Sequence, residues 1–299
     1  MMKYMELIEI LKSNRIDYEQ LKNESVVNLI TDDSNYYINI IIGFRGRTEF
    51  IQPMVDSFNE SIKYYNNISD KKVCLTFVEH DDEPKHLELL DKVNYIWSKG
   101  NVSEFYNRSF AYNFGVRYSN KSKYYILHDL DILVKPNYIE ELVTNLNNDT
   151  VQCMQSYGNR HVWYMSEQLT SKFLNKEITI DDINRDNTEI IPPQQKGSKG
   201  GSVIITKKLF DDVGGFDPEL FWGYAAEDQM FWAKVDSIVP ISYADNPPID
   251  IFHMWHPPTD STNPNTPRMD SYFLHYQSMN SEYKLNFLNE KLKLYETNS

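Results

Sequence analysis

At 299 residues, with 41% hydrophobic and 14% aromatic content, the chain can hold one large α/β domain or two small ones around a proper core. Its formal net charge of −13 excludes the broad basic face of a nucleic-acid binder, although a nucleotide, which needs only a few local cations, stays possible. No stretch approaches a membrane span and residues 1–6 open no apolar run long enough for a signal peptide or anchor, so the expectation is a cytoplasmic protein of bacterial or viral origin.

The 21 tyrosines suit a protein that binds flat polar rings such as sugars, or reflect an AT-rich genome. Cys74 and Cys153 lie in apolar strand-like runs and read as buried free thiols. Residues 1–35 place Met5, Ile8, Leu11 and Leu21 at helical spacing, which predicts an N-terminal helical extension packed on the main domain. Tyr37–Ile42 is a first strand, and it ends in Gly43-Phe-Arg-Gly-Arg-Thr-Glu49. A glycine and two arginines, Arg45 and Arg47, just after a strand form a plausible nucleotide loop, since guanidinium forks meet diphosphates well. It is not a Walker loop, because the spacing and the lysine are missing.

A helix follows over about residues 50–65, then a second strand, Val73–Val78, ending in Glu79-His-Asp-Asp82. The order implies a parallel pair joined by a helix. Tyr95–Trp97 is a short strand, and 105–117 reads as a helix in which Arg108 and Asn113 are polar residues among apolar ones. They are either surface positions or groups that point into a cleft.

Tyr124–Leu127 reads as a buried central strand that runs into Asp129 and Asp131. Carboxylates at such a strand end lie where open α/β sheets bind ligands, and two of them one residue apart suit Mg²⁺ or Mn²⁺. A helix over 136–146 and a strand over 151–156 follow. Residues 157–199, with Gly158, His161, Trp163, Pro192 and Pro193, are the least regular part, and such segments are often lids or binding loops. Gly200 and Gly201 precede a strand, Ser202–Thr206, and permit close backbone approach to a ligand. Trp222-Gly-Tyr-Ala-Ala-Glu-Asp228 opens a helix, whose first turn favours the carboxylates of Glu227 and Asp228 whether or not they do chemistry. A last strand, 249–252, leads to His253 and His256, which offer imidazole for a transition metal or are incidental. The tail from about 268 to 295 is helical.

Together the Phe-Arg-Gly-Arg, Val-Glu-His, Asn-Arg with Asn-Phe-Gly, Asp-Leu-Asp, Gly-Gly-Ser, Trp-Gly-Tyr-Ala-Ala-Glu-Asp and His-Met-Trp-His segments resemble the β-1,4-galactosyltransferase family in kind and order. Chondroitin polymerases and polypeptide GalNAc-transferases share these segments. The resemblance spans about residues 37–258. It implies an α/β GT-A fold, a mostly parallel nucleotide-binding sheet flanked by helices, over residues 36–260. Residues 157–199 would then be a lid or acceptor loop, and 261–299 a C-terminal helical segment.

The resemblance further implies an inverting transferase that uses a UDP-sugar donor, Mn²⁺ (or Mg²⁺) and a carbohydrate-type acceptor. It places Phe44, Arg45, Arg47, Glu79, Arg108 and Asn113 around the nucleotide, and Asp129 on the ribose or donor sugar. Gly200 and Gly201 fall on the acceptor side, with Trp222 and Tyr224 stacking on a sugar. Asp131 and His256, with His253 beside it, fall on the metal. Asp228, next to Glu227, becomes the general base. Gly46 stands where the family usually has Asn, and Tyr224-Ala-Ala226 replaces Trp-Gly-Gly, so the donor and acceptor sugars stay open. Fold does not fix function, so a non-catalytic sugar- or nucleotide-binding protein on the same fold is a rival, but such a binder would have no need of Asp-x-Asp, Glu-Asp and a late His together. An aspartyl-phosphate phosphatase lacks its lysine and acidic cluster here.

Overall fold

The computed structural model describes residues 2–30, 35–101, 104–147, 149–158, 162–191, 200–257 and 263–296. Its first half comprises α1 (Met2–Ser13), α2 (Tyr18–Asn23), β1 (Val26–Asn28), β2 (Tyr36–Phe44), α3 (Ile51–Asn66), β3 (Val73–Asp81), β4 (Asn94–Lys99), α4 (Arg108–Tyr118), β5 (Ser122–Asp129), β6 (Ile132–Val134) and α5 (Tyr138–Asn145). The second half continues with β7 (Cys153–Gln155), β8 (Trp163–Met165), α6 (Glu167–Leu174), β9 (Ile190–Ile191), β10 (Ser202–Thr206), α7 (Lys207–Asp212), α8 (Glu227–Asp236), β11 (Ser242–Tyr243), β12 (Ile251–His253), α9 (Thr266–Gln277) and α10 (Ser281–Glu296).

The apolar run of β2 is buried on both faces, as a central parallel strand requires. It pairs in parallel with β3 and β5, which brings Gly43 opposite Asp129 and Phe44 opposite Glu79 at the carboxyl edge. The main sheet has eight strands in the order β1-β4-β3-β2-β5-β10-β7-β11. Its centre is parallel, while β10 runs antiparallel to both of its neighbours. A four-stranded sheet, ordered β6-β12-β8-β9, stands beside it and carries His253.

Several elements differ from the sequence reading. The N-terminal extension is not wholly helical, because β1 pairs with β4. A strand, β6, intervenes between Asp131 and the following helix. The segment read as irregular holds β8, α6 and β9, with Ser166 capping α6 by accepting the Leu169 N–H at 3.0 Å. His161, Pro192 and Pro193 lie outside the described residues. Cys74 and Cys153 are buried free thiols, and burial pushes both well up. No helix among the described residues is long and apolar enough to cross a membrane.

Apolar cores fill both faces of the main sheet, and a third, built from α1, α9 and α10, closes over Leu220, Phe221 and Met230. The 214–219 turn ties these layers together. Asn113 of α4 accepts the Phe216 N–H at 2.9 Å and donates to its carbonyl at 3.1 Å. Asp217, fully buried, is paired with Lys234 of α8 at 2.6 Å and Lys291 of α10 at 2.5 Å. Burial pushes Lys234 down to about 7, against the pull of Asp217. Tyr295 donates to Glu219 on the same turn.

Close approach of α4 to the sheet depends on Gly115. A Cβ there would stand 2.6 Å from Ile41 Cγ2 and 2.8 Å from Val78 Cγ2. Gly115→Val should therefore destabilise the fold by about 1–3 kcal/mol through overpacking. Urea unfolding measures this, and an unchanged midpoint would mean that helix and sheet are not in contact as described.

Candidate active site

The site is built at the carboxyl edge of the parallel strands. There β5 ends in Asp129, whose N–H donates to the Gly201 carbonyl at 2.9 Å, and Leu130 packs into the core before Asp131. Directly across, α4 begins at Arg108. The preceding Asn107 caps that helix by accepting the Phe110 N–H at 2.9 Å, and its amide donates to the Pro218 carbonyl at 3.1 Å. Arg108 is thereby held at a fixed helix start.

Its guanidinium serves three carboxylates. Nη1 donates to both oxygens of Asp129 at 2.9 Å, while Nη2 donates to Glu227 at 2.8 Å and to Asp228 at 2.5 Å. Burial opposes the positive charge, but Asp129, Asp228 and Glu227 raise the Arg108 pKa well above its ordinary value. Burial pushes Glu227 up to about 7; Arg108 works against that and Asp228 adds to it. Burial likewise raises Asp228, opposed by Arg108 and helped by Asp129. Glu227 also accepts the Ala225 N–H at 3.0 Å, which closes the turn before α8. Tyr112, one turn along α4 from Arg108, donates to Asp129 at 2.7 Å. The sequence reading passed over Tyr112, although its four-residue spacing from Arg108 puts both on one helix face.

A second cluster adjoins the first. Ligand atoms of Asp131, His253 and His256 lie within 4.8 Å of one another. His256 Nε2 is 3.4 Å from Asp131, and its Nδ1 donates to the Pro257 carbonyl at 2.7 Å, so Nε2 is the ring nitrogen that faces the carboxylate; the bond to Asp131 raises the His256 pKa, against burial. His253 Nε2 is 3.6 Å from Asp131, too long for a hydrogen bond, and its Nδ1 is buried with no hydrogen-bond partner among the described residues. Arg47 also pairs with Asp131, from a left-handed backbone conformation of φ 52°. Burial would raise the Asp131 pKa, but His253, His256 and Arg47 outweigh it and hold the carboxyl well below the usual range. One carboxylate and two imidazoles, one of them unsatisfied, form a donor set that fits a divalent cation.

The remaining residues fall into two groups. Gly200 lies against Asp228, and a Cβ there would stand 2.6 Å from Asp228 Oδ2. Trp222 is half-buried and tied down by Met269 and Asn263, whereas Tyr224 is 71% exposed. Arg45 reaches the carbonyls of Asn101 (3.3 Å) and Glu104 (2.8 Å) and lies over the Tyr106 ring.

Three residues do not join these clusters. Phe44 packs in the core against Phe77 and His86. Glu79 is fully buried, bonded to the Tyr95 hydroxyl and the Lys85 N–H. Asn113 engages the 214–219 turn as described above.

No protein-family model and no curated protein matches the sequence. Among solved structures, residues 1–349 of S. aureus TarS match with a TM-score of 0.52 at 11% identity, over 88% of this chain and 72% of that one. GalNAc-T7 with UDP, GalNAc and Mn²⁺ matches with a TM-score of 0.51 at 15% identity, over 85% of this chain and 50% of that one. The catalytic domain of Drosophila β1,4-galactosyltransferase 7 in complex with xylobiose matches at 0.44 and 13% identity, over 71% of this chain and 66% of that one. The chain thus spans about half of GalNAc-T7 and about two thirds of the galactosyltransferase domain. At these identities the likeness concerns architecture, and the architecture is the GT-A glycosyltransferase fold.

The Glu227 carboxyl gives a pH test. It ionises near 7 in the fold against about 4.5 in the unfolded chain, so between those values the folded state holds the extra proton. The stability that proton contributes is complete below about pH 4.5 and is lost as pH rises through about 7. Glu227→Gln should therefore gain stability relative to the wild type as pH rises across that window. Denaturant melts over pH 4–8 measure the difference, and a flat difference would mean that Glu227 ionises as an ordinary carboxylate.

Proposed function

We propose that the chain is a metal-dependent inverting glycosyltransferase that moves a hexose or N-acetylhexosamine from a UDP-sugar to a hydroxyl of a glycan or other acceptor. One observation carries the reading. Arg108 holds Asp228 beside the Asp129 turn, so a carboxylate suited to act as a base adjoins the Asp131–His253–His256 cluster, which is suited to a cation. The UDP, GalNAc and Mn²⁺ in the GalNAc-T7 structure support a nucleotide-sugar donor and a metal on this fold.

Asp131, His256 and His253 would hold Mn²⁺ or Mg²⁺, which when bound neutralises charge collecting on the leaving diphosphate. Arg47, paired with Asp131, and Arg45 at the neighbouring loop supply guanidinium forks for the diphosphate. Asp228 takes the proton from the acceptor hydroxyl, and burial, which raises its pKa, makes it a stronger base than a free aspartate. The deprotonating oxygen bonds to the anomeric carbon as the bond from that carbon to the diphosphate oxygen breaks on the opposite face. One in-line displacement inverts the centre. Glu227, fixed by Arg108 and the Ala225 N–H, orients the acceptor, and Tyr224 and Trp222 offer apolar faces to its ring.

The test is release of free nucleotide from a panel of UDP-, GDP- and CMP-sugars, with Mn²⁺ and then with EDTA. Hydrolysis of one UDP-sugar that EDTA abolishes is expected. Absence of both turnover and calorimetric UDP binding in the presence of Mn²⁺ would overturn the reading in favour of a degenerate fold that binds something else.

Asp228→Asn should keep UDP binding and lose turnover by about 10²–10⁴-fold; near wild-type turnover would remove Asp228 as the base. Asp131→Ala should abolish Mn²⁺-dependent UDP binding in a calorimeter. Undiminished binding would place the cation elsewhere.

A further inference from the structure

Tyr164 has no role in the scheme above. It is the middle residue of β8, which runs parallel to β12 with Tyr164 opposite His253. The two ring centroids are 4.9 Å apart, and the His253 ring is 5.1 Å from that of His256. The His253 ring thus has Tyr164 and His256 as its ring neighbours, and both imidazoles lie beside Asp131. Both strand neighbours of Tyr164 are occupied: Met165 is buried, and Trp163 donates to Asp250 at 2.9 Å. Tyr164 alone of the three leaves a large aromatic surface open, 39% exposed, and its hydroxyl makes no hydrogen bond to the described residues.

We propose that Tyr164 is a donor-sugar subsite, a ring face on which the hexose of the UDP-sugar packs and a hydroxyl that bonds to one of its oxygens. This rests on the transferase reading given above. Asp131, His253 and His256 would hold the cation that receives the donor's diphosphate, and the donor sugar is bonded directly to that diphosphate. The next side chain outward along the His253 side is Tyr164. Sugars present C–H faces that stack on exposed aromatic rings, and a neutral phenol adds hydrogen bonding without more charge in a site already rich in carboxylates. Tyr164 thus stands beside the cation cluster, and the hexose carried on the diphosphate is the part of the donor that would meet it.

The experiment compares UDP with UDP-glucose, UDP-galactose, UDP-N-acetylglucosamine and UDP-N-acetylgalactosamine, titrated with Mn²⁺ into the full chain. The proteins compared are the wild type, Tyr164→Ala and Tyr164→Phe. Tyr164→Ala should weaken the best UDP-sugar about tenfold and leave UDP unchanged, and Tyr164→Phe should recover most of the loss. A UDP-sugar affinity within twofold of wild type in Tyr164→Ala would overturn the subsite. So would a parallel loss of UDP affinity, which would make Tyr164 a support for His253. Failure of the wild type to bind UDP at all would overturn the transferase reading and the subsite with it, a result distinct from either of the others.

Discussion

A single guanidinium holds the candidate site together. Arg108 meets Asp129, Glu227 and Asp228, which come from a strand end and a helix start far apart in the chain. Three carboxylates gathered in a half-buried cleft repel one another, and burial alone would force protons onto them. The arginine lets them coexist, and its fork geometry also fixes where each one points. Lysine could supply the charge and three N–H groups, but not a rigid planar fork that fixes their directions. Gly200 completes the arrangement, since any side chain there would occupy the place of the Asp228 carboxylate.

The charge balance reaches beyond the cleft. Arg108 opens α4, whose Asn113 clasps Phe216, while Glu227 and Asp228 open α8, whose Lys234 holds the Gly215 carbonyl at 2.6 Å and the Asp217 carboxylate. The two helices that aim the site's charged groups are therefore referenced to one short turn. Breaking one partner of such a buried pair costs far more than the pair contributes over an apolar substitute, so this turn resists change at every position that touches it.

Much of this was legible in the sequence, and the parts that were not share a cause. The strands that end in Gly43, Glu79 and Asp129 announce themselves as continuous apolar runs, because strands buried on both faces have no polar side. Asp129, Asp131, Glu227, Asp228, His253 and His256 stand out as polar residues directly after such runs or at a helix start. What sequence does not display is pairing. The strands β1 and β6 are three residues long and show no periodicity, and they are strands only because β4 and β12 lie beside them. Glu79 and Asn113 look like cleft residues by position, yet their polar atoms are taken up by Lys85, Tyr95 and Phe216. Tyr164 gives no signal at all, because its neighbour His253 is joined to it only through the sheet.

The Lys291–Asp217 contact joins two parts of the chain that are made far apart. Asp217 waits for a partner 74 residues further along. Until that lysine has been synthesised and α10 has settled on α1 and the 214–219 turn, Lys234 must balance the buried aspartate alone, and Glu219 lacks the Tyr295 hydroxyl. The parallel strands around β2 depend on none of these contacts. The sheet can therefore assemble without α10, whereas the helix start that carries Glu227 and Asp228 gains its last support only when α10 docks on the 214–219 turn.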